Sequence, residues 1–223
     1  VPNLTIKYDP EITPDAFMEK AIQTSLLCSN PAICNDAANR DIYAGGYGIS
    51  SCYNILPIGG GSYTLTRVTL TKLALEAESV PHFMDTLLPD CLDLMGDYIN
   101  QRIRFLVEES GFMQSSFLIK EGLMDKDRFV AMFGVTGMAE CVNHLLKDED
   151  KVYGRDSEAD DLAQEILDTI EAHVGAMEAA YSPIYGNRFV LHAQVGLDSD
   201  HGVTSGVRIP VGGEPEDFFA HLR

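Results

Sequence analysis

The sequence predicts an α/β fold in which parallel strands alternate with helices, and three observations carry that expectation. Short alternating or β-branched runs, at 4–8, 128–133, 189–195 and 207–209, stand apart from longer stretches of helical periodicity. The longest of these, 83–107, sets Leu88, Leu92, Met95, Ile99, Ile103 and Leu106 on one apolar stripe. Glycines cluster between the periodic segments, at 45–48, 59–61 and 134–137. Strand–helix alternation of this kind favours parallel packing, because crossover helices cover the sheet faces. Six or fewer strand candidates are too few for a closed eight-stranded barrel, so part of a barrel is the expected architecture.

Each element has a local reason. Residues 4–8 alternate apolar and polar side chains, as a half-buried strand does. Thr13 and Pro14 supply a cap and a first-turn proline for a helix whose apolar face is Phe17, Ala21, Thr24 and Leu27. Residues 35–48 read as loop, ending in Tyr43-Ala44-Gly45-Gly46-Tyr47-Gly48. After a short run over 51–58 and the glycines at 59–61, a helix is expected over 70–78, with Leu70, Leu73, Ala74 and Ala77 on one side. Pro89 kinks or opens the long helix and Gly111 stops it. The run 128–133 suits a buried strand, Gly134 and Gly137 its turn, and 138–146 a short helix. Ser157 caps the next helix, whose buried face is Leu162, Ile166, Ile170, Val174 and Met177. A strand over 189–195, a polar loop to Ser205 and a strand over 207–209 complete the chain.

Composition excludes several functions. The 223 residues carry 34 acidic and 16 basic side chains, a formal charge of -18, which repels nucleic-acid phosphate. No apolar run approaches membrane-spanning length, and Val-Pro-Asn-Leu-Thr has none of the features of a signal peptide. The absent initiator Met leads us to expect a start inside a longer gene product. The cysteines at 28, 34, 52, 91 and 141 are odd in number and lack Cys-x-x-Cys spacing, against a disulfide framework or a Cys-based metal site. Reduced thiols and a cytoplasmic location are expected.

The segment around Cys52 stands out. Glycines at 48 and 59–61 bracket Ile55, Leu56 and Ile58, which are costly to leave in water, so the loop is expected to insert into protein. On these grounds alone Cys52 is either a structural or a reactive thiol. A phosphate cradle is disfavoured, since no Lys-Ser/Thr pair follows Gly59-Gly60-Gly61-Ser62, and Gly45-Gly46-Tyr47-Gly48 lacks dinucleotide-site spacing.

Tyr47-Gly48-Ile49-Ser50-Ser51-Cys52, with the apolar stretch, the glycine-rich turn and a helix start over 67–77, resembles the cysteine finger loop of glycyl radical enzymes. That superfamily includes pyruvate formate-lyase, glycerol and diol dehydratases and anaerobic ribonucleotide reductase. Pro2-Asn3-Leu4-Thr5-Ile6-Lys7 resembles one of its barrel strands, and the chain as a whole is most similar to the YjjI-type enzymes. The resemblance implies that residues 1–223 are part of a single catalytic domain, a fragment of a ten-stranded β/α barrel with Cys52 on an internal loop. It implies a radical S-adenosylmethionine activating enzyme as partner, which generates a radical on a backbone glycine near the C-terminus. That radical takes hydrogen from Cys52, and the Cys52 thiyl radical takes hydrogen from a small organic substrate under anaerobic conditions. No cofactor is bound directly on this reading, and the full-length protein is a homodimer.

The sequence also departs from the family patterns. Ser51 removes the adjacent Cys pair of pyruvate formate-lyase, Tyr53-Asn54 replaces the Cys-x-Glu arrangement of the dehydratases, and no Cys-rich zinc site is visible. No Arg-Val-x-Gly-Tyr segment is present, so the glycyl radical segment is expected outside this chain and the fragment alone is expected to be inactive. The reaction type stays unassigned.

Other candidates follow from position. Asn54 and Tyr53 sit beside Cys52, and Glu140 and Thr136 lie near the end of a buried strand, where loops in β/α barrels carry chemistry. Glu140 has an equally plain role as a first-turn helix acid. Arg67 and Arg208 border glycine-containing loops and suit an anionic substrate, with salt bridges to the excess carboxylates as the competing role. His201, with Asp198 and Asp200, could contribute from the loop 196–206; the same residues with His192 have no recognised metal-ligand spacing and read as solvated turn residues. Two alternatives compete with the radical enzyme: a non-catalytic paralogue or binding module, and acid–base chemistry by Glu140 and His201.

Overall fold

The computed structural model describes residues 4–28, 30–43, 46–50 and 54–193. Cys52, Tyr53, His201 and the strand expected over 207–209 lie outside them. The chain opens with β1 (Thr5–Tyr8), α1 (Asp15–Cys28), β2 (Ala32–Asn35) and α2 (Asp36–Ile42), with β1 and β2 paired in parallel across the α1 crossover. Two expectations are corrected here. Residues 35–48 are largely structured: the Asn35 side chain accepts from the Ala38 N–H at 3.1 Å and starts α2. In α1 the buried residues are Met18 and Ala21; Ala21 belongs to the anticipated apolar stripe, but Phe17 and Leu27 are 51% and 85% exposed, so only part of that stripe faces inward.

β3 (Tyr47–Ile49) and β4 (Ile55–Pro57) form an antiparallel hairpin in the register Tyr47↔Pro57, Gly48↔Leu56 and Ile49↔Ile55. The Ser50 N–H bonds the Asn54 carbonyl at 2.8 Å, and residues 51–53 complete the connection in the sequence. Ile55 and Leu56 pack into a buried cluster, whereas Ile58 is 63% exposed, contrary to its expected insertion.

β5 (Gly61–Thr69) occupies the place expected for a glycine turn and helix start, and α3 (Leu70–Leu75) begins directly after it. Its composition, Ser-Tyr-Thr-Leu-Thr-Arg-Val-Thr after Gly61, is strand-forming, and pairing with a buried neighbour decides the matter. Gly60 lets this strand start close to the next: a Cβ there would overlap the Arg128 carbonyl. The single turn α4 (Val80–His82) and a wider helical turn lead to α5 (Leu88–Arg104), with Pro89 in its first turn. Leu88, Leu92, Met95, Ile99 and Ile103 are buried along it, as the stripe anticipates. After the single turns α6 (Phe112–Ser115) and α7 (Phe117–Lys120) come β6 (Phe129–Thr136), α8 (Met138–Leu145), α9 (Ser157–Ala176) and β7 (Phe189–Ala193). Asp156 takes the N-cap position of α9, and Ser157 is its first helical residue.

β5, β6 and β7 form a parallel sheet in that order, with all eight residues of β6 buried. Gly134 lies within β6; only Gly137 serves as the turn. On one face Ala131, Phe133 and Val135 join Val68 and Phe189 against Ile99, Val142, Ile166 and Ile170 of the helices. Full burial of each large side chain there contributes about 1.5–3 kcal/mol. On the other face Val130 and Met132, with Val190, meet Tyr43, Tyr47, Ile49, Ile55 and Leu56. The hairpin therefore rests on the sheet face away from the helices. Among the described residues no helix is long and apolar enough to cross a membrane.

Candidate functional site

Strand register determines which polar groups meet beneath the hairpin. Arg67 pairs with Gly134, and Gly134 with His192, so these three residues form one rung across β5, β6 and β7. Side chains alternate along a strand, and this rung shares the parity of Met132 and Val190, on the hairpin side. The next rung on that face pairs Thr69 with Thr136. Gly134 is needed for close approach: a Cβ would lie 2.7 Å from His192 Nε2, and 2.8 Å from both Arg67 Cβ and the Thr66 carbonyl oxygen.

Both ring nitrogens of His192 and the Thr136 hydroxyl are buried without a hydrogen-bond partner among the described residues. Burial, with Arg67's charge adding to it, lowers the His192 pKa from its ordinary 6.5 and favours the neutral ring. The Ala193 backbone group beside the ring acts in the opposite sense, but no hydrogen bond of acceptable geometry reaches either nitrogen.

A cleft of about 600 Å³ runs along the β7 edge, lined by Asn54, Tyr43, Met132, Tyr185, Arg188 and His192, with Glu171 and Gly175 of α9 at its helix side. Asn54 and His192 thus share one cavity, and Asn54 is two residues from Cys52. Tyr43 donates to the Ile55 carbonyl at 3.3 Å, and burial, with Tyr185 nearby, pushes its phenol up to about 12.

The base of the hairpin is anchored to the N-terminal unit. The Tyr47 hydroxyl donates to the Asp36 carboxylate and lies 3.7 Å from Cys34 Sγ, while Lys7 Nζ stands 3.8 Å from the Tyr47 ring centroid. Arg40 donates to Asp9 and pairs with Asp36 at 3.1 Å. Burial, and secondly the bond to Asp36, raises the Tyr47 pKa strongly, so the phenol stays protonated.

The sequence candidates separate accordingly. Arg67 and Thr136 share the hairpin-side face, and Asn54 lines the cleft. Glu140, half-buried in the first turn of α8, stands beyond the end of β6 and is not among the described residues lining that cleft. Cys52, Tyr53, Asp198, Asp200, His201 and Arg208 lie outside the described residues. The reading of His192 as a solvated turn residue is corrected: it lies within β7, half-buried beside Gly134, a place set by strand register and not by its spacing in the sequence. Among the described thiols, burial raises Cys91 and pushes Cys141 up to about 12, with Glu140's charge adding in the latter case. No group of three or more His, Cys, Asp or Glu positioned to hold a metal occurs among the described residues.

Residues 1–223 match the family model described as Glycyl radical enzyme YjjI-like. The uncharacterized protein YjjI of Escherichia coli strain K12 is 41% identical over 225 residues, covering 100% of this chain and 43% of that protein. An uncharacterized protein of Haemophilus influenzae strain Rd is 39% identical over 227 residues, covering 100% of this chain and 44% of that protein. The chain thus spans less than half the length of either relative. Among solved structures, an anaerobic ribonucleotide reductase matches with a TM-score of 0.58 at 21% identity, over 86% of this chain and 31% of that one. The anaerobic ribonucleotide reductase of Thermotoga maritima, solved with dATP and CTP, matches with a TM-score of 0.56 at 19% identity, over 85% and 32%. These likenesses show the shared fold.

Proposed function

Since the chain belongs to the YjjI-like family of glycyl radical enzymes, we propose that it forms the core of an enzyme that activates a small organic substrate through a Cys52 thiyl radical. A glycyl Cα radical takes the hydrogen of the Cys52 S–H bond, which restores the glycine and leaves the thiyl radical. The thiyl radical takes hydrogen from a substrate C–H bond, which restores the thiol and leaves a carbon radical. Each step moves one hydrogen atom and conserves the unpaired electron. The protein's share is to hold the reacting atoms close and exclude competing reactants.

The single observation that carries this reading is the β3–β4 hairpin. Its strands flank positions 51–53 and pack on the sheet face to which Arg67, Thr136 and His192 belong. In this proposal Asn54, Tyr53, Thr136, Arg67 and His201 contact substrate, and Glu140 is a candidate proton acceptor. A radical S-adenosylmethionine enzyme supplies activation, the radical glycine lies outside residues 1–223, and the assembled enzyme is a cytoplasmic homodimer.

The test is anaerobic activation of the intact gene product with its activating enzyme, followed by electron paramagnetic resonance and a screen of small organic substrates. An oxygen-labile glycyl radical is expected, with turnover lost in Cys52→Ala while the glycyl signal persists. Absence of that signal after activation, or unchanged turnover in Cys52→Ala, rejects the mechanism.

A further inference from the structure

We infer that residues 207–211 dock as a further strand along the open edge of β7 and close the cleft there. The inference goes beyond the radical mechanism and does not depend on it.

β7 pairs with β6 on one side, and no described strand pairs with it on the other. Its outward backbone groups lack sheet partners among the described residues, although Phe189 is buried and Val190, Leu191 and His192 are half-buried. An edge of this kind takes up an extended segment through main-chain hydrogen bonds. The cleft has the form that such a segment needs. Val190 and His192 line it from the hairpin face of β7, and Phe189 and Leu191 from the helix face, so it follows the edge and not one face. Val174 and Gly175 of α9 form one wall, and Tyr43, Ile55 and Met132 the other. A Cβ at Gly175 would meet nothing within 4 Å, which leaves that wall open to an incoming side chain.

The occupant follows from pattern, charge and reach. Residues 207–211, Val-Arg-Ile-Pro-Val, lie outside the described residues. Val207, Ile209 and Val211 alternate with Arg208 and Pro210, the period of a strand with one apolar face, and Gly206 and Gly212 bound the run. Backbone N–H groups alternate across a strand as side chains do. With those of 207, 209 and 211 turned to β7, Pro210 sets its missing donor on the far edge, where proline is tolerated. The three apolar side chains then face Tyr43, Ile55 and Met132, while Arg208 faces α9. Glu171 of α9 is the one carboxylate among the described residues lining the cleft, and it forms no ion pair with a described residue. An arginine in the incoming segment supplies the opposite charge. Residues 194–206 reach up to about 40 Å when extended, against roughly 16 Å for the length of β7, enough to return for a parallel pairing.

Carbodiimide cross-linking of the intact gene product tests the placement. In Arg208→Lys the new amine should condense with the Glu171 carboxylate, with loss of water, to an amide seen by peptide mass spectrometry. That link should vanish when Glu171→Gln is added. Hydrogen exchange gives a second measure. Amides of β7 should be protected in the wild type, and Ile209→Asp, which sets a charge against the apolar wall, should speed their exchange at least about tenfold while β5, two strands away, is unchanged. Arg208→Lys keeps the charge, so the cross-link decides the matter should Ile209→Asp fail to fold. Absence of the link between Glu171 and position 208, a link from Glu171 to another segment or to a second copy instead, or β7 exchange indifferent to Ile209→Asp in the folded protein overturns the placement. Neither measurement needs the glycyl radical, so this inference and the radical mechanism fail separately.

Discussion

Tyr47, the first residue of β3, donates its phenolic hydroxyl to the carboxylate of Asp36, the first residue of α2. That bond joins the base of the hairpin to the β1–β2 unit, and Arg40 keeps Asp36 paired from the other side. Hydrogen bonds to charged groups contribute about 1.5–3 kcal/mol each. Tyr47→Phe is therefore expected to lower unfolding free energy by about that amount, read from the urea midpoint at constant m-value. An unchanged midpoint would remove Tyr47 from the anchoring role.

Gly134→Ala is expected to destabilise the protein by about 1–3 kcal/mol, because the added methyl meets His192, Arg67 and the Thr66 backbone. Combining it with His192→Ala should recover only part of that loss, since the Thr66 carbonyl and Arg67 Cβ remain in the way. A double-mutant cycle by urea unfolding measures the shared portion.

His192 also makes a signed prediction for pH. Its folded pKa is lowered by burial, with Arg67 adding to the effect, so the unfolded state binds the proton more readily. The neutral ring's contribution is fully present above about 6.5, the ordinary histidine value, and declines as pH falls below it toward the folded pKa. The wild-type minus His192→Gln difference in unfolding free energy should therefore be flat above pH 7 and fall toward pH 5. A difference that rises on acidification would contradict the assigned environment.

Thiol labelling separates packed cysteines from accessible ones. With its pKa near 12, Cys141 has only about 1 thiolate in 10,000 at pH 8, and its side chain is fully buried. Iodoacetamide at pH 8 should modify exposed Cys28 well before Cys91 or Cys141, with site occupancy followed by peptide mass spectrometry. Equal rates for Cys28 and Cys141 would show that the α8 packing opens readily.

Local periodicity made the helical layer readable: Leu88, Leu92, Met95, Ile99 and Ile103, like Leu162, Ile166, Ile170 and Val174, recur at helical spacing and are buried. β5 was hidden because Gly59-Gly60-Gly61 signals a turn, while its strand conformation is supported by pairing with β6. Gly134 looked like a turn residue for the same reason; its function within the sheet depends on neighbours 67 positions earlier and 58 later in the chain. Arg67 and Thr136 could be singled out by residue type and position, but the place of His192 beside Gly134 could not, because inter-strand register is a tertiary property. The Phe17–Leu27 stripe shows the converse limit: an apolar face can be recognised without revealing where it points.

The two faces of β6 share a single backbone, so they cannot be tuned independently. Phe133 belongs to the helix-packed core, while its chain neighbour Gly134 separates Arg67 from His192 on the opposite side. A change in helix packing that shifts this strand is transmitted mechanically to the spacing of those two polar groups. Packing in the helical layer therefore bears on how Arg67, Gly134 and His192 are spaced across the sheet.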